Sequence, residues 1–228
     1  MEVNFMWVLS QLVVNFGLPL VALLIAYLFG AIPFGLLIGK ARGIDVRTVG
    51  SRNIGATNVF RCVGARYGIL AFFLDMVKGV VGTLCGFIPM LLLEEVGTDT
   101  TLLLRVLCGT AAMLGHMFPV YLKFKGGKGL AAFGGFVLAV DPHVFLFLLV
   151  TGVVAMLVVN YSVALPYYGG IAFPVIMWVL KKAVPVIAVC TAVSGLILYK
   201  HAGNVKKAMD GTDNKIREYV ATKLFAKK

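Results

Sequence analysis

The sequence predicts an all-α integral membrane protein with seven transmembrane helices, its N-terminus outside and its C-terminus cytoplasmic. Three observations carry this. Hydrophobic residues make up 60% of the 228 residues and charged residues 14%, against about half and about a quarter in soluble domains. The mean hydropathy is +0.95. The apolar residues also gather into stretches near the roughly 20 residues that a helix needs to cross the hydrocarbon core. A soluble enzyme and a disordered chain are both at odds with this composition. The length sets six or seven spans as the ceiling.

The first apolar stretch runs from about Leu12 to Ile38, broken by Pro19 and Pro33. Glu2 stands where a signal peptide would be basic, and no cleavage site ends the run, so this segment is expected to stay as an anchor. A basic, glycine-rich stretch follows, Lys40 to Arg66. The second apolar stretch spans Tyr67 to Leu93 and leads into an acidic loop, Glu94 to Asp99. The third spans Leu102 to Leu122 and ends at KFKGGKG, Lys123 to Gly129. The fourth, Leu130 to Val140, is short for a crossing and needs help from flanking glycines or a thinned bilayer. Asp141, Pro142 and His143 form a turn. The fifth stretch is Val144 to Val163. The sixth is Ala164 to Leu180, with Pro166 and Gly169–Gly170 near its start. Lys181 and Lys182 make the next turn, and the seventh stretch, Ala183 to Tyr199, leads into a polar, basic tail.

The net charge of +11 would suggest nucleic acid in a soluble protein. In a membrane protein it sets orientation instead, because cationic loops stay cytoplasmic. The Lys40–Arg66 loop, the glycine-rich loop and the tail hold 17 of the 21 Lys and Arg residues, all on one side of a seven-span arrangement. Lys181 and Lys182 fall on the other side, with Glu2, Glu94, Glu95, Asp99 and Asp141. Asp75, Lys78 and Arg105 lie inside spans. Asp75 and Lys78 are three apart, as an ion pair on a helix would be, and Arg105 is expected to snorkel outward. Cys62, Cys85, Cys108 and Cys190 have no metal or disulfide spacing and read as small buried hydrophobes.

Three polar segments share the cytoplasmic side. In Val49–Arg61, Ser51 or Asn53 would make a helix N-cap, with Thr57 and Arg61 four apart on one face. Capping amides, a hydroxyl and an arginine suit a phosphate, as they also suit a surface helix against anionic lipid. In His116–Gly129, glycines between lysines allow a nest of backbone N–H groups around phosphate oxygens, with charge from Lys125 or Lys128. The loop is no Walker A motif, because Gly129 follows Lys128 where Ser or Thr would hold magnesium. His116 reads as structural. In Lys200–Asp213, His201 and Asn204 are three apart, and the helix would end at Gly211. None of the three histidines has Asp five residues on: Tyr121, Leu148 and Lys206 stand there. HxxxxD acyltransferase chemistry is therefore absent, as are GxSxG and HExxH.

In order and spacing these segments resemble the bacterial membrane-embedded glycerol-3-phosphate acyltransferases that use acyl-phosphate as donor. The most specific piece is GSRNIGATNVFR followed by HMFPVYLKFKGGKG; HAGNVKKAMDGTD matches less closely. The resemblance implies one membrane-embedded acyltransferase domain over residues 1–228, with motif segments near 40–66, 116–135 and 200–216. It implies a bacterial cytoplasmic membrane and an active site on the cytoplasmic face. The substrates would be acyl-phosphate and glycerol-3-phosphate, and the products lysophosphatidic acid and phosphate, with no coenzyme A, metal or other cofactor. The soluble enzyme that forms acyl-phosphate and membrane lipid are the partners it implies; nucleic acid is not one. Ser51, Arg61, Lys128, His201 and Asn204 would be catalytic. Asn53, Thr57, Asn58, Lys125, Gly126, Gly127 and Lys207 would bind the substrates' phosphates. The chain departs from the family's pattern at Ala132 (usually Thr), Lys200 and Lys207 (usually Arg) and Asp213 (usually Glu). Lysine keeps the charge and loses the bidentate fork. Two other readings compete: a transporter for a phosphorylated small molecule, and a non-catalytic paralogue that binds phospholipid.

Overall fold

The computed structural model describes residues 16–91, 97–212 and 215–217. The readings that rest on Glu2, Leu12, Glu94, Glu95, Asp213, Lys223, Lys227 and Lys228 lie outside the described residues. All regular structure among the described residues is helical, and the chain divides into two compact units, Met1–Asp141 and Pro142–Lys228.

The first unit opens with α1 (Leu18–Gly30) and α2 (Phe34–Ala41), which together make an apolar path of 24 residues. Pro19 does not break it. It sits in the first turn of α1, directly after π-helical backbone at Phe16–Gly17. Pro33 does break it, because the proline ring disfavours helical backbone at Ile32 and removes a donor. A loop then leads to α3 (Ala56–Cys62) and α4 (Ala65–Leu84), which tightens into a 3₁₀ stretch, Cys85–Leu91, around Pro89. Next come α5 (Thr98–Met117), a 3₁₀ turn at Val120–Leu122, and α6 (Leu130–Val140).

Small residues set how closely these helices approach. A Cβ added to Gly79 would overlap the Ala132 carbonyl, and one on Gly135 would overlap that of Met76, so α4 and α6 meet backbone to backbone. Gly30 lies likewise against Ala112, and Gly115 against the Tyr27 carbonyl, which joins α1 to α5. In lipid, helices gain little from hiding apolar surface from each other, so close van der Waals approach has to hold them. Cys85 and Cys108 lie in the core with Ala22 and Ala26, as small hydrophobes. Arg105 is half-buried. It donates to the Ala139 carbonyl at the end of α6 and stacks its guanidinium on Phe87. A carbonyl at a helix C-terminus is a favourable partner for a cation.

The second unit is α7 (Pro142–Val159), α8 (Ala164–Val179) and α9 (Val184–Met209), packed in sequence order. The turn expected at Lys181–Lys182 is present, whereas of Asp141, Pro142 and His143 only Asp141 lies outside helix, because Pro142 and His143 open α7. α9 runs on past Tyr199 to Met209, so the third polar segment continues the last apolar helix as regular helix. It stops at Gly211, whose positive φ lets Gly211 N–H reach the Ala208 carbonyl and Thr212 N–H that of Lys207.

Among the described residues, five helical paths are long and apolar enough to cross a membrane: Leu18–Ala41, Ala65–Leu91, Thr98–Leu122, Pro142–Val159 and Val184–Met209. Leu130–Val140 and Ala164–Val179 are apolar but shorter. At 1.5 Å per residue α6 rises only about 16 Å, against about 30 Å of hydrocarbon. Leu20, Phe73, Leu146 and Trp178 are all exposed, as a lipid-facing surface requires.

Gly135→Ala should lower the thermal unfolding midpoint in detergent, because overpacking there costs about 1–3 kcal/mol. Gly195→Ala, where an added Cβ meets nothing within 4 Å, should not lower it. A Gly135→Ala midpoint equal to wild type would remove backbone contact as the cause of the α4–α6 fit.

Candidate active site

The first polar loop is tied together by one side chain. Asn58, on α3, is 2% exposed. Its Nδ2 lies 2.8 Å from the Val46 carbonyl, 2.9 Å from that of Asn53 and 3.2 Å from that of Val49. Its Oδ1 accepts the N–H of Ser51 at 2.9 Å. A Cβ on Gly50 would overlap that Oδ1, so the chain can pass there only as glycine. The amide of Asn58 is thus committed to the loop.

The expected side-chain N-cap is not formed. Gly55 caps α3 with extended backbone, and no side chain contributes. Asn53 acts one step earlier, its Oδ1 accepting the Gly55 N–H at 2.8 Å. Ser51, freed from capping, is exposed beside Arg52, which adopts a positive φ. Thr57 and Arg61 are both exposed, one turn apart on α3. At the start of the loop Arg47 donates to Asp45 through Nε and Nη2, the latter at 2.6 Å. Those bonds pull the Asp45 carboxyl down to about 2. Arg42 from the start of the loop and Arg66 from its far end both stack on the Tyr67 ring, at 5.1 and 4.8 Å.

The glycine-rich loop leaves the other long helix of this unit. Lys123 and Phe124 take left-handed backbone in succession, and Phe124 and Leu122 donate back to the Pro119 carbonyl. The expected nest is modified, because the N–H of Gly127 is spent on the His116 carbonyl at 3.0 Å. Gly126 lies against the same carbonyl, and Gly127 against the His116 ring. Lys125 is exposed and Lys128 half-buried. No side chain caps α6, which leaves its first N–H groups beside the loop for a ligand or water. Leu122 packs on the core of the first loop, made by Leu36, Val46, Ile54, Val59 and Ala71, so the two loops share one end of the unit. Ala132 lies fully buried in the α4–α6 contact, below the loop.

Inside the helices, Asp75 and Lys78 do pair, at 2.8 Å, and both are buried. The pair was legible from its spacing; its other partners were not. Lys78 also donates to the Ile32 carbonyl at 2.6 Å, and His116 Nδ1 lies 3.4 Å from both Lys78 Nζ and Asp75 Oδ1. A histidine closing one span while another carries an Asp–Lys pair is the signal that would have linked them.

In the second unit His201 is buried, with Nδ1 2.9 Å from the Ile197 carbonyl. A carbonyl only accepts, so Nδ1 carries the proton. Asn204 follows one turn on and is half-buried; Lys207 is exposed.

A family model described as glycerol-3-phosphate acyltransferase matches residues 20–211. The chain belongs to that family. It is similar to the glycerol-3-phosphate acyltransferase of Aquifex aeolicus, 39% identical over 83% of this chain and 95% of that one. It is 38% identical to that of Geobacillus kaustophilus, over 86% of this chain and 94% of the relative. Its fold matches a crystal structure of PlsY (YgiH), an integral membrane glycerol 3-phosphate acyltransferase, in its glycerol 3-phosphate form. The TM-score is 0.77 at 36% identity, covering 86% of this chain and 94% of that one. A lysophosphatidic acid form of PlsY matches with a TM-score of 0.76. The match to the family takes in both loops and the polar part of α9.

Asn58→Ala should loosen the first loop without unfolding the helices, because it strands buried carbonyls at about 1–3 kcal/mol each. Trypsin should then cut at Arg52 about tenfold faster or more, while helical circular dichroism is kept. An unchanged rate would show that Asn58 does not hold the loop.

Proposed function

We propose that the protein transfers a fatty acyl group from acyl-phosphate to the 1-hydroxyl of glycerol-3-phosphate, giving lysophosphatidic acid and phosphate. The observation that carries this is the placing of two phosphate-suited loops at one end of an apolar helical unit, in a chain of this family. Both substrates bear phosphate and one bears an acyl chain. Cations and helix N–H groups at the end of the unit suit the heads, and lipid-facing helices suit the tail.

Ser51, Arg61 and Lys128 are the proposed catalytic groups of the first unit, with Thr57, Lys125, Gly126, Gly127 and Asn53 at the phosphates. His201 and Asn204, with Lys207, are assigned to the same reaction from the second unit, so that residues 1–228 act as one enzyme. The glycerol oxygen attacks the acyl carbonyl carbon, the carbon–oxygen bond to phosphate breaks, and the proton passes to a phosphate oxygen. Phosphate leaves readily, so the protein's share is to orient the pair and neutralise charge. On this reading the two short apolar helices also cross, giving seven spans. The cationic loops are then cytoplasmic, the C-terminus with them, and the N-terminus is outside. The membrane would be the bacterial cytoplasmic one, with acyl-phosphate supplied by a soluble enzyme. A transporter is disfavoured because the phosphate-suited loops lie at one end of their unit, where a transporter would bind at the midplane.

Purified protein in lipid should form product from glycerol-3-phosphate with palmitoyl-phosphate and none with palmitoyl-coenzyme A. Product from the thioester would overturn the donor. No product from either, with folded protein, would favour the non-catalytic paralogue. Lys128→Ala and Arg61→Ala should each lower turnover by about 100-fold or more while leaving the thermal midpoint in place. Wild-type rates in either variant would remove that residue from the site.

A further inference from the structure

The proposed reaction makes no use of the buried charged cluster in the first unit, yet the cluster touches the glycine-rich loop directly. Asp75, Lys78 and His116 are 2%, 1% and 5% exposed. Lys78 Nζ is held by Asp75 at 2.8 Å and by the Ile32 carbonyl at 2.6 Å, and it sits 5.0 Å over the Phe34 ring. Together with Asp75 it fixes one edge of the His116 ring through Nδ1, at 3.4 Å from each. The other edge, Nε2, abuts Gly127 so closely that a Cβ there would overlap it. The His116 carbonyl accepts the Gly127 N–H at 3.0 Å, and Gly126 packs on that carbonyl and on Pro119. The turn that separates Lys125 from Lys128 is therefore moulded on a single residue, and that residue is clamped by an ion pair inside the helices.

We infer that Asp75, Lys78 and His116 are positioning residues: the pair locks the imidazole, and the imidazole sets the path of Gly126–Gly127 and so the placing of the flanking lysine charges on the substrate phosphate. This rests on the reading that the loop binds that phosphate. A cluster serving only to bury charge and join helices would need no contact with the loop. Here two glycines are required by the contact itself. The coupling runs through packing and one N–H···O bond, so it predicts a particular pattern of interaction between substitutions. Gly127→Ala pushes a methyl into the ring and displaces the turn. Removing the ring as well makes room for that methyl.

The test is a double-substitution cycle on full-length protein in lipid, with KM and kcat measured separately. Gly127→Ala should raise KM for glycerol-3-phosphate by about tenfold or more. His116→Ala should do the same, and trypsin should cut faster at Lys125. In His116→Ala/Gly127→Ala the second change should add no more than about threefold to the first. His116→Asn, whose amide nitrogen can stand near the place of Nδ1, should keep part of the wild-type KM, and Asp75→Asn should resemble His116→Ala. Thermal midpoints that fall in every variant while KM and the tryptic rate stay at wild type would overturn the inference and leave the cluster a purely structural one. So would effects of the two substitutions that multiply. Wild-type protein inert with every acyl donor would end the catalytic reading instead. In that case tryptic cutting at Lys125 across the same four proteins still decides the coupling: a ring-dependent rate supports it, and a constant rate overturns it.

Discussion

Lys78 carries an ammonium group into a unit whose outer surface is apolar, and an isolated charge in such a place costs several kcal/mol or more. Its partners show how the first unit is organised around that cost. Asp75 lies one turn before it on α4. The Ile32 carbonyl comes from the break between α1 and α2 at Pro33, where it also accepts the Phe34 N–H at 3.1 Å. His116 comes from the last turn of α5. One cation thus serves the carboxylate and that carbonyl at once. It can do so only if α4, α5 and the break in the first span meet at one point. The residues that could least tolerate being left alone are the ones that specify how the helices assemble.

Close backbone contact is the second half of that constraint. Helices in hydrocarbon have little reason to approach unless their surfaces fit, and this unit fits them with glycine and alanine at Gly30, Gly79, Ala112 and Gly135. The same device shapes the loops. Gly35 on α2 lies against the Ile54 carbonyl, Gly68 on α4 against the backbone of Phe60, and Gly50 against Asn58. The polar loop between α2 and α3 is therefore pressed onto the helix ends at several points. Ser51 and Arg61 remain exposed on a well-supported surface, as a site needs if its groups are to be held in place before a substrate arrives.

What was legible in the sequence follows from the range of the interactions. The positions of apolar helices depend on local composition and length, and most of their described ends could be read to within a few residues, although α9 runs ten residues past the expected end at Tyr199. The Asp75–Lys78 pair is three residues apart and could be read as well. The break read at Pro19 is a change of helix type, from π-helical backbone at Phe16–Gly17 to α-helix from Leu18. The capping role given to Ser51 or Asn53 failed because α3 begins only at Ala56, with Gly55 in the cap position. The open nest expected of the glycine-rich loop was narrowed by a carbonyl at residue 116. The Lys78–Ile32 bond joins residues 46 apart and the Lys78–His116 contact residues 38 apart, and no periodicity reports such contacts.

The third segment shows how an extended helix can serve a proposed site. Because α9 continues past its apolar part to a glycine stop at Gly211, His201 and Asn204 are borne on regular helix, with the rigidity that implies. The bond from His201 Nδ1 to the Ile197 carbonyl fixes both ring orientation and tautomer, with the proton on Nδ1. If this segment meets phosphate as proposed, Lys200 and Lys207 would add charge there without the bidentate fork of arginine. On this reading the direction of the contact is set by histidine and asparagine, and the lysines supply only attraction.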